Sequence, residues 1–210
     1  VGDYNVSKFL RHFWISKFEL IRKEDLYKKL RSHVNANNIR DFIDNLNEEA
    51  LIYSNLRLPS HEFWNDSEIE DLLEELRTLR VEQVYALLLA AYQRFYKKEK
   101  KKFKRLLRAI INFTFRWSTI CGLNPNEMER TYSTLAIKLR ENEIDANGVI
   151  NKLRELAPNS EIFRKKFEEK DIKNNKIAKY ILLRLNNFLL KAQGRKELSV
   201  DIRRVNLEHI

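Results

Sequence analysis

The chain has 210 residues, 33% charged and 43% hydrophobic, with one cysteine and a formal net charge of +10. This composition allows a real apolar core and excludes a disordered chain, and the lone Cys121 excludes an internal disulfide or a cysteine-rich zinc site and fits a reducing compartment, the cytoplasm by default. The longest uncharged apolar run, 84–92, falls well short of the roughly 20 residues that a membrane span needs, so no membrane partner is expected.

The elements predicted in chain order are almost all helical. Leu26, Tyr27, Leu30 and Val34 make a short apolar stripe, and Ile39, Phe42, Ile43, Leu46, Ala50 and Tyr53 a longer one at i, i+3, i+4, i+7 spacing; Pro59 closes this group. Ser67 with Glu70 reads as a capping box opening a helix that carries Ile69, Leu72, Leu73 and Leu76. Residues 84–95 are apolar nearly all round, as in a helix buried on most sides. Phe103, Leu106, Leu107, Ile110, Thr114 and Trp117 form the next stripe, stopped at Gly122. Asn124, Pro125 and Glu127 restart the chain as cap, first helical residue and capping-box acid, with Tyr132, Leu135, Ala136 and Leu139 as the core face. Val149, Ile150, Leu153 and Leu156 run up to Pro158; Ile162, Phe163 and Phe167 mark a short helix, and Ile177, Tyr180, Ile181, Leu185, Phe188 and Leu189 a long one ending before Gly194. Eight or nine helices on short loops predict an all-α multi-helix bundle.

We expect an N-terminal helical subdomain at 1–58, a linker at 59–65, a main helical domain at 66–194 and the truncated start of a further module at 195–210. In that last stretch Val205, Leu207 and His209 alternate with Asn206 and Glu208, the period of a strand. A strand lacks a partner there, and the chain opens Val1-Gly2-Asp3, so we expect an internal piece of a longer protein.

Charge is polarised along the chain. Between Glu62 and Glu75 stand seven acids and no base, whereas between Arg94 and Arg108 stand nine Lys or Arg and one acid. On a helix Lys97, Lys101, Lys104, Arg105 and Arg108 share one side and Phe103, Leu106, Leu107 and Ile110 the other. Such a stripe can track phosphates and bind DNA; the plainer alternatives are a solubilising surface or a partner for the acidic segment. Catalytic constellations are sparse: the four glycines are isolated, the four histidines never pair at helical spacing, and the carboxylates mix with lysines on solvated faces. No metal site and no cofactor are expected within these residues. A terminal histidine on a strand, such as His209, is usually inert. An acid followed by His and Ile after Val-Asn-Leu nevertheless resembles the opening of an HNH nuclease motif, in which the histidine acts as general base on water.

A series of phrases spread over nearly the whole chain resembles the central region of GmrSD-like restriction endonucleases. These are 10–17 (Leu-Arg-His-Phe-Trp-Ile-Ser-Lys), 23–27, Arg116-Trp117 with Cys121-Gly122 and Asn124, Phe163 with Phe167, 178–182, and finally Val205-Asn206-Leu207-Glu208-His209-Ile210. The resemblance implies a bacterial phage-defence protein in which a ParB-like N-terminal module uses nucleoside triphosphate and a C-terminal HNH module cuts DNA with a divalent metal. It makes Glu208 and His209 the opening of the nuclease motif, as metal-proximal acid and general base. This chain would then be the non-catalytic helical connector between the two enzymatic modules; a helical DNA-binding module and a protein-interaction scaffold are the alternatives.

Overall fold

The computed structural model describes residues 6–196 and 198. Among them it contains eleven α-helices and no strand, so the chain is all-α; the expected terminal strand lies outside the described residues. The helices are α1 (Val6–Lys17), α2 (Lys23–His33), α3 (Ile39–Arg57), α4 (His61–Trp64), α5 (Ser67–Thr78), α6 (Tyr85–Ala91), α7 (Lys100–Thr114), α8 (Pro125–Arg140), α9 (Ala146–Leu156), α10 (Ser160–Glu168) and α11 (Asn175–Ala192). Two of them, α1 and α4, exceed the expected set. α6 and α7 each run on into a π-helical turn, Tyr92–Tyr96 and Phe115–Ile120.

α6 sits at the centre. Its sequence, Tyr-Ala-Leu-Leu-Leu-Ala-Ala, offers no polar face, and all seven residues are 0–6% exposed. α1, α3 and α8 pack around it, while the π turn that follows leads into α7, which lies against α5 and α9. One hydrophobic cluster runs from Phe9 to Tyr180. Residues 59–65, expected as a linker, carry α4, and its Trp64 is fully buried among Phe63, Tyr92, Tyr96 and Phe103. Trp64 Nε1 donates to the Asn55 carbonyl at 3.0 Å and Tyr96 Oη donates to the Trp64 carbonyl at 2.9 Å, so a large aromatic side chain is buried there without an orphaned polar atom.

Caps and stops follow the local chemistry. Asn124 caps α8 through the Asn126 N–H, with Pro125 as first helical residue, and Gly122 takes a positive φ of 60° where the preceding helix ends. At α5 the cap is one residue earlier than expected: Asp66, not Ser67, accepts from the Ile69 N–H. A carboxylate there also faces the positive end of the helix dipole, which favours it over a hydroxyl.

Two stripes are less covered than their periodicity suggests. On α3 Ile39 and Ile43 are 46% exposed, and burial begins at Glu49, Ile52, Tyr53 and Leu56. On α11 Ile177 and Tyr180 are buried, but Leu185, Phe188 and Leu189 face outward, Phe188 at 70% exposure.

The helices of the N-terminal third are keyed to α8 by buried polar groups. Glu49 on α3, 1% exposed, accepts from Arg140 of α8 at 2.8 Å and pairs with Lys17 of α1 at 3.1 Å, and Arg140 also donates to Ser16 Oγ at 3.0 Å. His12 on α1 is buried with Nδ1 2.8 Å from Tyr53 Oη. Burial, reinforced by the neighbouring Arg11 charge, lowers its pKa from 6.5 to about 4. The unfolded chain therefore takes up a proton near pH 6.5 that the folded chain refuses until far lower pH. Stability present above pH 6.5 is lost as pH falls through that window, by up to about 1.4 kcal/mol per pH unit. Urea midpoints measured between pH 7 and pH 5 should show this loss, and His12→Gln should remove most of it. An unchanged slope in the variant would contradict a neutral buried imidazole.

Candidate nucleic-acid interface

α7 carries six of the nine cations of the run 94–108. Phe103, Leu106, Leu107, Ile110, Phe113 and Thr114 are buried against α5 and α9. Lys101, Arg105 and Arg108, on the opposite side, are exposed. The helix opens Lys100-Lys101-Lys102 with no acid in its first turn, which sets three cations at the positive end of its peptide dipoles. Each such charge is locally unfavourable by about 0.3–1 kcal/mol. Glu99, paired with Lys102, offsets part of this.

The five predicted residues do not act as one stripe. Lys97 lies in the turn between the first π turn and α7, so it is off the helix, and its ammonium stands 3.9 Å from Glu48. Lys104 is turned to the acidic segment, 2.8 Å from both Asp66 and Glu68, and Arg108 pairs with Glu68 as well. Burial raises the Asp66 carboxyl, but Lys104 and the Ile69 N–H more than offset it, and its pKa falls below the ordinary value. Arg105 donates to Asn147 Oδ1 on α9 at 3.0 Å. Lys101 has no ion-pair partner among the described residues. The opposed charge segments therefore meet inside the fold through Lys104 and Arg108, and leave Lys101 and Arg105 outward.

Two further acids of the segment, Glu70 and Glu75, are engaged in the same structural way. Glu70 pairs with His61 at 2.8 Å. Glu75 accepts from Tyr180 Oη at 3.2 Å and pairs with Arg184 at 3.4 Å, fastening α11 to α5, and burial still leaves its pKa raised. The described histidines are likewise placed by packing: His12 on Tyr53, His33 edge-on to Trp14, His61 on Glu70. Glu208 and His209, the predicted catalytic pair, lie outside the described residues. No group of three or more His, Cys, Asp or Glu is arranged to hold a metal ion among the described residues, and no described helix is long and apolar enough to cross a membrane.

Two arginines that sequence reasoning passed over belong to the same surface. Arg116, in the second π turn, and Arg154, on α9, line one groove with Arg105 and Arg108. No spacing rule could have joined them, because they come from different elements whose packing brings them together.

The different settings of two lysines make a direct comparison. Lys104→Ala should lower stability by about 1 kcal/mol, because Asp66 loses its cation and Glu68 one of its two, whereas Lys101→Ala should stay within about 0.5 kcal/mol. Chemical denaturation of the two variants checks this. Equal losses would mean that Lys104 is not the link between α5 and α7.

Comparison with known proteins adds no assignment: no protein-family model, curated protein or solved structure matches the chain significantly.

Proposed function

We propose that this chain is the non-catalytic helical connector of a bacterial, cytoplasmic, modification-dependent DNA restriction endonuclease of the GmrSD-like kind. In such a protein its partners are the other modules of the same polypeptide, one using nucleoside triphosphate and one cutting DNA with a divalent metal. The observation that carries this reading is the apolar face of α11. Leu182, Leu185, Phe188 and Leu189 lie at helical spacing and are 49–70% exposed. Contiguous exposed apolar surface of this kind marks a place where another folded unit docks.

The basic helix supports the same reading. Part of its charge is spent on the acidic segment through Lys104 and Arg108, as suits a surface that holds elements together. Glu208 and His209 would open the nuclease motif, with the remaining metal ligands supplied by residues further along the polypeptide.

Two experiments test the proposal. The coding sequence beyond Ile210 should specify a proline within a few positions, then an asparagine and a histidine at HNH spacing; a stop codon or an unrelated domain would overturn it. Residues 1–210 purified alone should leave plasmid DNA uncut in Mg²⁺ or Mn²⁺, because a base without its metal ligands neither positions water nor neutralises the scissile phosphate. Cleavage lost on His209→Ala would show a complete active site within the chain and would contradict the connector role.

A further inference from the structure

Two helices distant in sequence, α7 with the π turn that continues it and α9, bring four arginines to one groove. Arg105 and Arg108 come from the exposed side of α7, Arg116 from the π turn continuing it, and Arg154 from α9, while Asn159 and Ser160 bring the first turn of α10 to the same wall. The groove encloses about 890 Å³, within the range of roughly 300–1,000 Å³ typical of small-molecule sites. Buried Phe113, Ile150 and Leu153 form its apolar floor. Glu155, the single acid on its walls, is paired with Lys152 at 3.1 Å.

The guanidinium groups are partly oriented and still have donors to spare. Arg116 donates through Nε and Nη2 to the Pro158 carbonyl at 3.2 and 2.6 Å, and its guanidinium lies 4.5 Å from the Phe163 ring centre. Its Nη1 is not used in those bonds. Arg105 spends Nη2 on Asn147, which leaves Nε and Nη1. Arg154 has neither hydrogen-bond nor ion-pair partner among the described residues. Arg108 is already paired with Glu68, but Arg105, Arg116 and Arg154 have no carboxylate partner among the described residues. Three such cations lining one groove repel one another, and an anion relieves that repulsion. Planar arginine forks match the oxygen geometry of a phosphate. The dipole of the nine-residue α10 adds positive potential at the same wall.

We propose that this groove binds the phosphate of a nucleotide, either free or within a DNA strand. The proposal rests on the groove alone, so it stands or fails separately from the connector reading.

The test uses the whole chain at low ionic strength with two probes, ATP followed by calorimetry and a short labelled DNA duplex followed by anisotropy. Arg154 is exposed and structurally uncommitted, so Arg154→Gln should fold as the parent does, with an unchanged thermal midpoint. It should weaken the probe that binds on the order of tenfold, the loss expected for a hydrogen bond to a charged group. Arg154→Lys should recover part of the affinity, and Lys138→Gln, an exposed site outside the groove, should leave it intact. Saturable binding of ATP alone identifies a free nucleotide as the ligand. Binding of the duplex, with a salt slope that flattens by about 0.9 in Arg154→Gln, identifies a strand phosphate. Absence of saturable binding by both probes, or unchanged binding in both Arg154→Gln and Arg105→Gln, would overturn the proposal.

Discussion

A helix without a polar face must be covered on every side, and that requirement at α6 organises the whole molecule. Leu87, Leu88 and Leu89 are completely buried, each worth about 1.5–3 kcal/mol relative to exposure. No single neighbour can enclose such a helix. α1 and α3 reach it from one stretch of sequence and α8 from another, so the core forms only when segments far apart in the chain meet. Apolar contact alone does not fix how the covering helices slide. The buried Glu49 does, because its carboxylate must find both Arg140 and Lys17; an uncompensated buried charge costs about 3–5 kcal/mol.

The charged surface is a consequence of this central packing. The π turn Tyr92–Tyr96 seats its aromatic rings against Trp64, and the chain then re-enters as α7 with one face towards the core. Once that face is buried, the remaining charge has two outlets. Lys104 and Arg108 meet the acidic α5, and Lys101 and Arg105 face outward. α9 packs along α7 and α10 against the second π turn, and the space between them is the arginine-lined groove. The chain thus carries two different kinds of exposed chemistry, cationic between α7 and α10 and apolar on α11.

Much of this was legible in the residues and some of it could not be. The buried α6 was written in an uninterrupted apolar run, and the stops at Asn124 and Gly122 in residues whose backbone preferences leave little choice. The outward turn of Ile39, Ile43 and Phe188 was hidden, because a periodic stripe says which face is apolar and not whether a neighbour arrives to cover it. Glu48 and Glu49 are adjacent acids, one half-exposed and the other wholly buried; the distant Arg140 and Lys17 distinguish them. α1 escaped because five consecutive residues, 12–16, are buried on all sides, which blurs a 3.6-residue period. Arg116 and Arg154 escaped for a different reason. A groove shared by three elements has no signature in any one of them.

Amide hydrogen exchange along the chain tests the central role of α6 most directly. If the fold depends on enclosing this helix, its amides open only when the whole molecule unfolds, and the 84–91 segment exchanges most slowly, at the rate set by global stability. Residues of α10 and the outer half of α11, covered on one side, should exchange far sooner. Exchange of the α6 amides as early as those of α10 would contradict the account, since the core would then come apart without the rest of the molecule following.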